Sequence, residues 1–143
     1  MTSRGSAAEG ILLKMLLDHG IEAEHGSPSR PGDIIVPPNI IIEIKDPKEN
    51  AYSFKQHSSK GEEQWKVLRA KVEAFPWLEI YYAVRFGRKN WRYFPLPGEP
   101  KPLRAADGNA IENLFAILKA KQELMLHAVN LWNYQQMSTD TEV

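Results

Sequence analysis

The sequence predicts an α/β fold, with a mixed central β-sheet flanked by α-helices. Three observations carry that expectation. Apolar residues recur at helical spacing in three segments, 6–19, 61–75 and 109–132. Short runs rich in β-branched and aromatic residues lie between them. One helical segment separates the run ending at Lys45 from the run starting at Glu79, which permits a right-handed crossover between parallel strands.

In the first helix, Ala8, Ile11, Leu12, Met15 and Leu16 share a stripe, with Ser6 as a cap and Gly20 as the stop. Residues 21–25 suit a short strand, and 26–32, with two Gly, two Pro and two Ser, a loop. Ile34-Ile35-Val36 and Ile40-Ile41-Ile42 are apolar runs joined by Pro37-Pro38-Asn39, so 33–45 reads as a hairpin. Residues 46–60 are polar and irregular, a loop beside the hairpin end. Trp65, Leu68, Val72 and Phe75 mark the second helix, which Pro76 ends. Residues 79–86 and 90–95 form a second hairpin around Gly87-Arg88-Lys89. Residues 96–106 hold three prolines and connect to the last helix, on which Ile111, Leu114, Phe115, Leu118, Leu124 and Ala128 recur.

A chain of 143 residues suits one domain, expected over 1–135, with a polar, flexible tail over 136–143. No cysteine is present, which excludes a disulfide framework, a thiolate zinc site and a cysteine nucleophile. The N-terminal stretch lacks a signal peptide's apolar core, and no apolar run approaches the ~20 residues of a membrane span. The expected location is therefore the cytoplasm, that of a host cell if the protein is viral.

The feature with chemistry in it is Asp33, then Glu43-Ile44-Lys45. Side chains alternate along a strand, so Glu43 and Lys45 share a face, and hairpin pairing brings Asp33 to the same end. Two carboxylates offer hard oxygen ligands to Mg²⁺, which polarises a phosphate and lowers the pKa of a bound water. The lysine beside them can stabilise charge on phosphorus. The competing reading is a hairpin whose charged residues face solvent. Against it, Ile40–Ile44 reads as a buried strand, and an acid and a lysine at its end call for partners.

The remaining candidates are open between two readings each. Glu9 either aims at this cluster or is an acid suited to a helix N-terminus, and the residues alone point to the second. Gln64 either touches a water or phosphate near Lys45 or is an exposed helix glutamine. Ser29 sits in a loop without a nucleophile-elbow motif, where its hydroxyl could donate to a phosphate. His19, His25, His57 and His127 have no zinc-ligand spacing, and no phosphate-binding glycine loop is present. Tyr81, Tyr82, Phe86, Trp91, Tyr93 and Phe94 suit a core more than a stacking surface.

Net charge is zero, with 18 basic and 18 acidic residues, so any contact with DNA depends on a local basic surface. Arg4 and Arg30 flank the candidate site, and Arg85, Arg88, Lys89 and Arg92 crowd one nearly acid-free hairpin. An alternative surface is the 46–60 loop, with Lys48, Lys55 and Lys60.

Several of these pieces stand in a familiar order. Arg4-Gly5 and Glu9 open a helix ending His19-Gly20-Ile21, and a Gly-Ser loop leads to Gly32-Asp33-Ile34-Ile35. Then follow Ile42-Glu43-Ile44-Lys45, a helix bearing Gln64, Ala83-Val84-Arg85-Phe86 and Trp91-Arg92-Tyr93-Phe94. Over residues 3–125 the chain resembles the archaeal Holliday junction resolvases of the Hjc type, in the PD-(D/E)xK nuclease superfamily. The resemblance implies the restriction-endonuclease-like fold and a homodimeric, Mg²⁺-dependent endonuclease that cuts four-way DNA junctions symmetrically, with Mn²⁺ able to substitute. It implies Glu9, Asp33 and Glu43 around the metal, Lys45 as the catalytic lysine, Ser29 near the cleaved phosphate and Gln64 in support. It leaves open a related nuclease acting on flap, mismatched or duplex DNA, or a junction-binding protein without catalysis. Gly10 and His25 stand where members of that family often carry arginine, and the segment after Leu124 is longer than the family requires.

Overall fold

The structure is a computed structural model that describes residues 4–27, 33–55 and 60–141, with side chains from Ala7 to Met137. Its elements, in order, are α1 (Arg4–Asp18), β1 (Glu24–His25), β2 (Ile34–Val36), β3 (Ile40–Lys45), β4 (Ala51–Tyr52), α2 (Lys60–Ala74), β5 (Glu79–Phe86), β6 (Asn90–Pro95), β7 (Leu103–Arg104), a 3₁₀ turn (Ala105–Asp107), β8 (Asn109–Ala110) and α3 (Ile111–Thr141). The expected mixed sheet with flanking helices is borne out. Its strand order is β1-β2-β3-β5-β6-β8, with β3 and β5 parallel and every other pair antiparallel. A parallel pair needs a crossover, and α2 lies in the β3–β5 connection. The short strands β4 and β7 pair by themselves. Both fall in segments expected to be irregular, because two-residue strands carry no readable alternation.

β3 is buried on both faces, as a central strand must be. Ile40, Ile42 and Ile44 pack with Ala8, Leu12 and Leu16 of α1 and with Ile111, Leu114 and Leu118 of α3. Ile41 points the other way, into a second cluster with Leu68 of α2, Phe54, Ile80, Tyr82 and Phe94. The pleat therefore sends Glu43 and Lys45 to the α2 side of the sheet. That placement is what the candidate site depends on.

Helix α1 ends as its sequence dictates. Gly20 adopts φ +73°, Ile21 N–H donates to the Leu16 carbonyl and Gly20 N–H to that of Leu17. These two bonds satisfy carbonyls the helix would otherwise leave open, and Ile21 is buried behind them. Helix α3 departs from expectation in length. The segment from 136, expected as a flexible tail, continues the helix to Thr141. Among the described side chains its last buried one is Leu118; beyond it Leu124 is 70% exposed, and Leu126, Leu131, Trp132 and Tyr134 also face solvent.

Candidate functional site

Strand register builds the site. β2 and β3 pair Ile34 with Ile42 and Val36 with Ile40, and Asp33, just before β2, bonds to Ile42 and Ile44, the residues on either side of Glu43. Both carboxylates act on the buried Tyr82 phenol, which packs with Leu68 of α2, so both lie on the α2 side. Asp33 Oδ2 accepts a hydrogen bond from the Ile44 backbone N–H at 2.7 Å, and Asp33 N–H donates to the Ile42 carbonyl at 3.1 Å. The Asp33 side chain is thus held at the strand end. Glu43 is the one charged residue buried outright among those described, with 2% of its surface exposed.

Lys45 lies two residues on, on the same face. Its Nζ is 3.6 Å from Glu43 Oε1 and donates to Gln64 Oε1 at 2.7 Å. It also sits 5.5 Å from the centre of the Tyr52 ring. The ammonium is therefore held from three sides. Gln64 belongs to the first turns of α2, which is anchored by buried Leu68 and by the Trp65 indole N–H donating to the Pro97 carbonyl at 2.8 Å. The helix start presses on β4: a Cβ at Gly61 would stand 2.5 Å from the Tyr52 hydroxyl and 2.9 Å from the Phe54 carbonyl. Of the two readings of Gln64, the structure has it bonded to Lys45.

Two tyrosines line the same space. Tyr82 is the register partner of Glu43 on β5 and is fully buried. Burial, with Glu43, Tyr52 and Asp33 as negative or polar neighbours in that order, pushes its phenol far above the usual range. Burial first and Glu43 second push Tyr52 up to about 12. Both phenols stay neutral beside the carboxylates at any ordinary pH. Sequence reading grouped Tyr82 with core aromatics and passed over Tyr52. The available signal was a tyrosine on a strand next to one bearing a buried acid.

Glu9 is not part of a three-carboxylate cage. Among the described residues no three His, Cys, Asp or Glu side chains converge as one would. Glu9 Oε2 is 2.5 Å from His25 Nδ1. His25 pairs with Ile34, whose side chain packs under α1, so this contact belongs to the opposite face of the sheet from Glu43. The geometry thus corrects the expected trio to a pair, Asp33 and Glu43, with Glu9 drawn to an imidazole. Two opposed carboxylates still suit Mg²⁺, which keeps several waters and needs only one or two protein carboxylates. The buried Tyr82 hydroxyl, without a hydrogen-bond partner among the described residues, marks the same space as one that accommodates a polar species.

The basic residues divide. Arg85 is corrected from an outward contact to an internal one: Nε and Nη2 donate to the two Asp46 carboxylate oxygens at 3.0 and 2.7 Å, and the side chain is 11% exposed. That bidentate bond raises the already high pKa of Arg85 further. Arg88 and Lys89 are exposed on the turn, where Arg88 adopts φ +64°. Gly87 N–H donates to the Pro47 carbonyl at 3.1 Å, which brings that turn beside exposed Lys48. Lys48, from the surface expected as the alternative, thus joins Arg88 and Lys89 in one basic edge at the end of β3 and β5. Arg92 and Arg104 line a shallow concavity with Glu49 and Asn90. Lys55 and Lys60 are exposed. Ser29 and Arg30 lie outside the described residues, as does the Arg4 side chain.

No protein-family model and no curated protein matches the chain. Among solved structures, the chain is similar to Hjc, a Holliday junction resolvase from the archaeal hyperthermophile Archaeoglobus fulgidus. The two share a TM-score of 0.61 and 22% identity, over 80% of this chain and 97% of that one. The likeness defines the fold: nearly the whole of that resolvase has a counterpart here. Among the described residues, no helix is long and apolar enough to cross a membrane.

Proposed function

We propose that this chain is a Mg²⁺-dependent, structure-specific DNA endonuclease that resolves four-way junctions by cutting two strands symmetrically. One observation carries the reading. Asp33, bonded to both neighbours of buried Glu43, stands with Lys45 tied to Gln64, on the fold of a Holliday junction resolvase.

Asp33 and Glu43 would hold the ion. When bound, Mg²⁺ supplies a water nucleophile at neutral pH and offsets charge on the phosphate, and Mn²⁺ would serve as well. The chain's own residues do the rest. Gln64, Glu43 and the Tyr52 ring hold the Lys45 ammonium at the carboxylates, where it can donate to a phosphate oxygen as negative charge grows on it. The ammonium is positioned before the substrate arrives, so its reorganisation cost is already met. The edge formed by Lys48, Arg88 and Lys89 lies at the same end of the sheet and would take up phosphates flanking the cut. Glu9, drawn to His25 on the other face of the sheet, stands outside the proposed pair. Ser29 remains a proposed phosphate contact.

Two cuts on one junction call for two sites, and two-fold symmetry places them economically, so the working form is proposed as a homodimer. Exposed Val67, Phe75 and Trp77, on and just after α2, are apolar surface available to such a pairing. The enzyme would act in the cytoplasm.

The test is a comparison of substrates. Four-way junction, flap, mismatched duplex and linear duplex are incubated in parallel, with and without Mg²⁺. The reading requires the junction to be cut first and only with metal. Preference for a flap or duplex would make it a different nuclease on the same site, and junction binding without cleavage a non-catalytic binder.

A further inference from the structure

The Tyr82 hydroxyl has no assigned role and an uncommon setting. It is completely buried, and it has no hydrogen-bond partner among the described residues. Buried hydroxyls are nearly always paired, because an unpaired one forfeits its hydration with nothing in return. Tyr82 could have met this constraint by being phenylalanine. Its ring already packs edge-on against Phe54, with centroids 5.6 Å apart, a contact that phenylalanine would make equally well. The hydroxyl is what sets the residue apart, and it shares a sheet face with the two carboxylates. Tyr82 is paired in register with Glu43 on one side of β3, and on the other Asp33 bonds to the residues that flank Glu43. The phenol feels both carboxylates, Glu43 more than Asp33. A phenol that stays protonated is a donor, and carboxylates are acceptors only.

We propose that Tyr82 is a positioning residue of the cation site, its hydroxyl donating toward the Glu43 and Asp33 carboxylates as they take up a divalent ion. This rests on the reading of Asp33 and Glu43 as the metal pair. Carboxylates that hold a metal are commonly steered by a hydrogen bond from behind. Lys45 approaches Glu43 from one side, and Tyr82 is the neutral donor on the neighbouring strand. A neutral donor suits that place, since it orients an anion without competing with the cation for its charge.

The experiment measures metal binding without DNA. Mn²⁺ is titrated into wild type, Tyr82→Phe, Glu43→Gln and Tyr81→Phe. Bound ion is read by electron paramagnetic resonance, and melting temperature is followed with and without metal. Tyr81 serves as the control because it bonds Glu79 on the same strand but faces the other side of the sheet. The expectation for Tyr82→Phe is a Mn²⁺ affinity about tenfold weaker, the lower end for loss of a group that orients metal ligands. Its metal-free melting temperature should be no lower than wild type, and its metal-induced rise smaller. Tyr81→Phe should bind Mn²⁺ like wild type. Equal affinity in wild type and Tyr82→Phe, with Glu43→Gln impaired, would overturn the role of Tyr82 and leave the metal pair standing. A Tyr82→Phe variant that melts lower without metal yet binds Mn²⁺ normally would make the hydroxyl structural and also overturn it. Unchanged binding in Glu43→Gln, or none in wild type, would overturn the metal pair and this inference with it.

Discussion

Asp46 grips Arg85 with both carboxylate oxygens, one residue past Lys45 and on the opposite face of the sheet. The pair closes the end of β3 against β5, while Glu43 and Lys45, just before it on the strand, face the α2 side. One strand end thus carries two separate electrostatic devices, a structural one and a chemical one. Trp91, opposite Arg85 on β6, covers the guanidinium at 5.8 Å.

The first prediction separates those devices. Arg85→Met removes the guanidinium bound by Asp46, whose side chain is 3% exposed. Losing a hydrogen bond to a charged group costs about 1.5–3 kcal/mol, so the variant should unfold at lower denaturant. The salt dependence of junction binding, measured on the folded fraction, should match wild type. A shallower slope at unchanged stability would return Arg85 to the DNA surface.

Lys45 and Gln64 make the second. Lys45→Ala should cut junctions ~10²–10³-fold more slowly, the loss typical of one preorganised donor. Gln64→Ala leaves the charge but removes its tether, so its single-turnover rate should fall less. If Gln64→Ala were as slow as Lys45→Ala, the glutamine itself would touch the reacting phosphate.

A third concerns alkaline pH. Folding holds the Tyr52 phenol at about 12 against 10.0 in the unfolded chain, and Tyr81 likewise, with burial the main cause. Below pH 10 both states keep the proton and the contribution is complete. Between pH 10 and about 12 the unfolded chain binds fewer protons, so stability falls as pH rises. Denaturant midpoints should therefore decline across that window. Tyr52→Phe should decline less steeply, and an equal decline would remove Tyr52 from the account.

The basic edge supplies the fourth. Log K for junction binding should fall with log salt by ~0.9 per phosphate contact. Replacing Lys48, Arg88 and Lys89 together by alanine should weaken binding and flatten that slope, with cleavage of bound junction little changed. An unaltered slope would move the surface toward Arg92 and Arg104.

Much of the scaffold was legible because its signals are local. The β5–β6 hairpin has its sequence bounds, since a Gly turn flanked by aromatic and β-branched runs has few alternatives. Asp33, Glu43 and Lys45 share one face for the same reason: a period of two and a hairpin register decide it. What escaped depends on contacts distant in sequence. Arg85 resembles every other arginine of its hairpin until Asp46, 39 residues away, is seen beside it. Glu9 sits one turn into α1 as expected, but only tertiary structure decides that it meets His25. Tyr82 reads as a core aromatic, and its hydroxyl matters only because β3 and β5 pair in parallel. The length of α3 was hidden by a polar C-terminal composition that helix propensity tolerates.

The central claim is that Asp33 and Glu43 together hold the ion that cuts the junction. The most direct measurement is strand-by-strand mapping of cuts on a synthetic four-way junction, with binding followed in parallel, for wild type, Asp33→Asn and Glu43→Gln. Wild type should place paired, symmetric cuts with Mg²⁺ and none in chelator. Both variants should bind the junction as wild type does and cut it only at background. Cleavage by either variant at near wild-type rate, or cleavage by wild type in chelator, would contradict the account.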